Sequence, residues 1–99
     1  MIQVIVTRHQ ALVEYLRRKN AVAVDVEVIA HITSPEQVAG KVVAGVLPLH
    51  LAAAAEAIVN VQLNLPPDLR GVELTLEQVE QYAAGIQAYR VEELDPASL

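Results

Sequence analysis

A chain of 99 residues makes one small domain with a thin core, since a domain of this size buries only about 60–70% of its unfolded surface. Its apolar residues, 54% of the total, are almost all Val, Leu, Ile and Ala, with three Tyr as the only aromatics. The absence of Cys excludes a disulfide scaffold and any thiolate metal site, and a net charge of −5 excludes the generally basic surface that duplex nucleic acid requires.

Ile2–Val6 is an apolar run that reads as a strand. Thr7 and Gln10 have the spacing of a capping box, which predicts that Thr7 opens the next helix. That helix, Gln10–Lys19, carries Ala11, Leu12, Tyr15 and Leu16 on one face. Arg17, Arg18 and Lys19 fall in its last turn, where cations complement the helix dipole, and Asn20 ends it. Within Val22–Ile32, the segment VEVIAHI reads as the second strand. Ser34-Pro35-Glu36-Gln37 has Ser as N-cap, Pro at the first helical position and Gln at the third, and Gly40 limits the resulting helix to about two turns. Lys41–Val46 is the third strand, Leu49–Ala57 a short Ala-rich helix, and Val59–Leu65 a fourth strand stopped by Pro66-Pro67. Thr75–Tyr89 is predicted as the longest helix, from the stripe Leu76, Val79, Tyr82, Ala83 and Ile86. Gly85 inside it would mark close packing against a second subunit. One α/β domain is expected over 1–91, followed by a tail over 92–99 whose end, Asp95–Leu99, frays.

Strands alternating with helices, and strands that are apolar almost throughout, predict an α/β fold. The expected form is a small Rossmann-like, mostly parallel four-stranded sheet with helices on both faces. Thr33–Gly40 is short for a parallel crossover, which takes about a dozen residues, so an antiparallel strand is the alternative there. MIQVIVTRHQ lacks a basic leader and is not expected to be a signal peptide. Val42–Val59 is interrupted by Pro48, His50 and Glu56, so strand, turn and helix account for it better than a membrane span. A cytoplasmic protein without membrane contact is expected, in keeping with the absence of Cys.

In an open α/β sheet, ligands bind beyond the carboxyl ends of the strands. His9, His31 and His50 follow the first, second and third strands, and they are all the histidines of the chain. Thr7, Arg8, Thr33, Ser34 and Asn64 fall at the same edge, with two or three helix N-termini whose free N–H groups favour anions. This set fits a phosphate site. Each member has a competing structural account. His50, alone in the apolar run LPLHLAAAA, is also read as a capped strand-end histidine, His31 as one held between Ala30 and Ile32, and His9 as a solvated first-turn residue. Thr7 and Ser34 have sufficient work as helix caps. Arg70 is also read as a turn residue paired with Asp68 or Glu73. Arg8 stands apart, because a cation in a first helical turn opposes the dipole and a bound anion would explain it.

The stretches VTRHQALVEYL, VIAHI, GVLPLHLAAA and LNLPPDLRGVELT, in that order, resemble the small Csx-type accessory proteins of type III CRISPR systems, the sixteenth family of that series. The resemblance runs from the first strand to the last helix and departs at Asn20-Ala21, where a glycine turn is expected. It implies a CARF-like sheet and a ring nuclease. Such an enzyme binds cyclic tetra-adenylate, linearises it and switches off type III signalling, as a homodimer without a cofactor. The expected chemistry is metal-independent attack of a ribose 2′-hydroxyl on its adjacent phosphate. Arg8 would hold that phosphate, and His50 would act as general base or acid. His9 would be the partner acid or a second phosphate contact. Thr7 and Ser34 would donate to phosphate or ribose, with His31 and Arg70 as further ligand-binding candidates. Three alternatives compete. One is a cyclic oligoadenylate sensor or sponge that does not cleave. Another is a zinc hydrolase built on the three histidines, although their separations of 22 and 19 residues match no local ligand motif. The last is an interaction protein that only dimerises.

Overall fold

The computed structural model describes residues Met1–Leu99. Ile2–Val6 (β1) is the buried axis of the sheet, with Ile2, Val4 and Ile5 at most 2% exposed. Its β-branched side chains suit a strand that is covered on both faces. Val22–Ile29 (β2) pairs with it on one side and Val42–Ala44 (β3) on the other, both parallel. Ala57–Leu63 (β4) is parallel to β3, and Ala83–Tyr89 (β5) closes the sheet antiparallel to β4. The strand order is β2-β1-β3-β4-β5.

The helices cover both faces. Gln10–Arg18 (α1) and Leu76–Tyr82 (α3) share one face, where Leu16 and Val79 join Ile5, Ala44 and Val59 in a core cluster. On the other face, Val38 and Ala52 pack with Val4, Val43 and Ile58. Val38 follows the 3-10 turn Pro35–Gln37, and Ala52 belongs to Leu49–Ala54 (α2).

This is a mostly parallel α/β sheet, as the alternation predicts, but it has five strands and not four. The fifth comes from the predicted helix Thr75–Tyr89, which is helical only over its first half. Thr75 caps α3, accepting from the Gln78 backbone N–H while the Gln78 side chain accepts from the Thr75 N–H. At Ala83 the backbone turns extended, with φ −67° and ψ 122°, and the chain pairs with β4 from Leu63–Ala83 to Ile58–Tyr89. Ala favours a helix by only a few tenths of a kcal/mol per residue, and Gly85 withdraws about 1 kcal/mol. A row of ladder hydrogen bonds along the otherwise bare edge of β4 outweighs that preference. Gly85 therefore lies in an edge strand, not at a helix contact.

The expected Thr7–Gln10 capping box does not form. His9 is the N-cap of α1, and Thr7 Oγ1 accepts the His9 backbone N–H two residues on, at 3.1 Å. The Ser34 box forms as expected, but it closes a single 3-10 turn in place of two helical turns. The connection from β2 reaches a parallel β3 because it runs the length of 30–41 and passes β1, so the short Thr33–Gly40 segment is not the whole crossover.

β1 leads outward through α1 to β2, whereas β3 leads the other way through α2 to β4. Crossovers that diverge between adjacent parallel strands leave a crevice at their carboxyl ends. Gly45 makes the crevice possible. Its φ is +138°, its N–H donates to the Val59 carbonyl at 3.1 Å, and a Cβ there would lie 2.6 Å from the Val6 carbonyl oxygen. A Gly45→Ala substitution is expected to cost about 1–3 kcal/mol, because rigid backbone must move to admit the methyl group. Thermal unfolding followed by circular dichroism should show a melting point lower by roughly 4–8 °C per kcal/mol for a domain of this size.

Candidate functional site

A cleft of about 330 Å³ opens at the carboxyl ends of β1 and β3, on the side of α1. Its polar lining is Thr7, Arg8 and His9 from the end of β1, and Asn60 from β4. Gly45 and Val46 form the wall after β3. The Thr7 N–H donates to the Ile29 carbonyl at 2.9 Å, which carries the β1–β2 pairing one residue past the strand and fixes where Arg8 and His9 begin.

The cleft favours an anion although the chain as a whole is acidic. No carboxylate lines it. Arg8 is exposed and takes part in neither of the two ion pairs, Arg18–Glu80 and Arg90–Glu56. No side chain caps α1, and its first turn holds no acidic residue. Free N–H groups at a helix N-terminus, beside an unpaired guanidinium, suit a phosphate, which the planar fork of arginine meets with two hydrogen bonds.

The other expected site residues are dispersed. His50 lines a separate cavity of about 420 Å³, together with Ala53, Glu92 and Glu93, so carboxylates and not cations surround it. His31 follows the edge strand β2 and lines neither cavity. Ser34 is committed to its turn: its hydroxyl accepts the Glu36 N–H and contacts the Glu36 carboxylate. Arg70 ends the 3-10 turn Pro67–Leu69 and is exposed, without the expected pairing to Asp68 or Glu73. All three imidazoles are exposed and none forms a hydrogen bond within the chain, so none is a satisfied core histidine. No three His, Asp or Glu side chains are grouped to share a metal ion, which leaves the three-histidine zinc account without a site.

Asn60 is the lining residue that the sequence reading missed. It is a carboxamide in the middle of the strand AIVNVQL, at a position where the flanking residues Val59 and Val61 are apolar. An amide set between two apolar residues in the middle of a strand is the signal that identifies it.

A mostly parallel α/β domain with an anion-favouring cleft at its strand switch point defines the class. The chain belongs to the family described as "Putative CRISPR-associated protein (Cas_VVA1548)", whose profile matches residues 4–92. Searches of curated proteins and of solved structures returned no match. No helix is long and apolar enough to cross a membrane.

Because Arg8, His9 and His50 are exposed and unpartnered, their replacement by Ala should leave folding intact. Each variant is expected within about 0.5 kcal/mol of the parent, a shift of at most roughly 2–4 °C in melting temperature. A melting experiment checks this before any functional loss is assigned to them.

Proposed function

We propose that the protein is a ring nuclease of type III CRISPR defence, which binds cyclic tetra-adenylate and linearises it without a metal ion. The observation that carries the reading is the unpaired Arg8 in a carboxylate-free cleft at the free end of α1. Membership of a CRISPR-associated family supports it, as does the resemblance of the four motifs to the Csx-type accessory proteins. A ring of phosphates asks for local cations and N–H donors, not a basic surface, and so fits a chain with net charge −5.

In this reaction a ribose 2′-oxygen attacks the adjacent phosphorus in line, and the bond to the 5′-oxygen breaks. One product end carries a 2′,3′-cyclic phosphate and the other a 5′-hydroxyl. Arg8 holds the phosphate and meets the charge that builds on its oxygens. His9, in the same cleft, moves a proton between the 2′-hydroxyl and the leaving oxygen. Thr7 and Asn60 position the ribose. His50 lies outside this cleft in a single chain, so its expected part in proton transfer requires a second copy to bring it there. Val46 and Leu49, 87% and 77% exposed on the stretch that joins the two cavities, supply an apolar contact for a homodimer. A two-fold dimer would present the same residues twice to a symmetric ring.

Cyclic tetra-adenylate incubated with excess protein and EDTA should yield linear fragments with cyclic phosphate ends. Arg8→Ala should slow a single turnover by at least about a hundredfold. An intact ring that co-elutes with the protein would make it a sponge or sensor, and an intact, unbound ring would remove the nucleotide reading. Mixing Arg8→Ala with His50→Ala protein should restore activity only where a dimer completes the site.

A further inference from the structure

His9 borders a second cavity as well. On the other side of His9, Leu12 and Leu63, a pocket of about 260 Å³ lies under the loop over 64–75. Of its nine lining residues seven are apolar, and His9 is the only polar side chain among them. The loop side of the pocket includes Leu65, Leu69, Val72 and Leu74. An anion has no partner inside it. An apolar cavity of about 150 Å³ already holds a benzene ring, so this pocket has room for a two-ring heterocycle. The ligand that fits both cavities joins an uncharged flat ring to an anion, with His9 at the joint. Arg70 adds a second cation at the rim. It lies between Leu69 and Gly71, both of which line the pocket, and it is exposed and in no ion pair.

We infer that this pocket is the nucleobase subsite. It takes the purine of the nucleotide whose phosphate Arg8 holds, while Arg70 meets the neighbouring phosphate. The inference rests on the nucleotide reading above and extends it from the phosphates to the base. It explains why a chain without Phe or Trp can still hold a nucleotide: the base is enclosed by leucines and valines in place of an aromatic platform. It also makes Leu69, in a loop remote in sequence from Arg8, a specificity-determining residue.

Affinities for cyclic tetra-adenylate and cyclic tetra-uridylate, which carry equal phosphate charge, test it by calorimetry. The parent protein should prefer the adenylate ring by at least about tenfold, the size of a well-housed base. Leu69→Trp, which fills the pocket, should weaken the adenylate ring by a similar factor and leave the uridylate ring within about twofold, whereas Arg8→Ala weakens both. Unchanged adenylate binding by a folded Leu69→Trp protein overturns the base pocket and leaves the nucleotide reading standing. Failure of both rings to bind the parent overturns the two together. Melting curves establish that Leu69→Trp is folded, and Val72→Trp, on the exposed wall, gives the same reading where it is not.

Discussion

The backbone contact between Gly45 and the Val6 carbonyl is the constraint on which the site depends. Two parallel strands end side by side there, and their chains must leave in opposite directions. The β3 chain turns away at Gly45, which no residue with a Cβ can imitate at a 2.6 Å approach to a carbonyl oxygen. Because it turns there, Val46 becomes one wall of a cleft and the segment Thr7–His9 becomes the other. The buried strand β1, sealed by Ile5 and Leu16 on one face and by Val4 and Val43 on the other, holds that geometry rigid. A site placed on the ends of packed strands inherits their precision.

Electrostatics explain how an acidic protein can offer a site that favours an anion. Its carboxylates are spread over other surfaces, with Asp25 and Glu27 on the edge strand β2 and Glu92 and Glu93 beside His50. Two of its arginines are neutralised by Glu80 and Glu56. Arg8 stays free because the first turn of α1 contains no acid. The unpaired cation at the positive end of a helix is a local conflict, and such conflicts concentrate where a ligand resolves them. The pocket on the far side of His9 differs in character, being lined by apolar side chains apart from His9 and Gly71.

Much of this was legible in the sequence, and what was not has physical causes. β1 lies over the predicted residues Ile2–Val6, and α1 starts at the predicted Gln10, because a continuous apolar run and an amphipathic stripe depend on local pattern alone. The Ser34 cap was equally readable, since a cap is made within four residues. The segment Ala83–Tyr89 was not, because its helical stripe is local and its strand pairing with Ile58–Leu63 is long-range. Grouping Thr7, Arg8 and His9 needed only the end of one strand. Separating them from His50 needed the true course of the chain around Gly45, which pattern reading registers only as a break. Arg70 was a ligand-binding candidate from the sequence, but its nearness to His9 depends on the loop over 64–75, whose Leu69 and Gly71 line the same pocket as His9.

The central claim is that the ligand enters the cleft between β1 and β3. A nitrogen-15 amide NMR titration with cyclic tetra-adenylate in EDTA tests it directly. The account predicts saturable shifts at Thr7–Leu12, Gly45, Val46 and Asn60, with little change along the β2 edge at Val24–Glu27. Shifts confined to His50, Ala53 and Glu92–Leu94, or none at saturating ring, would contradict it.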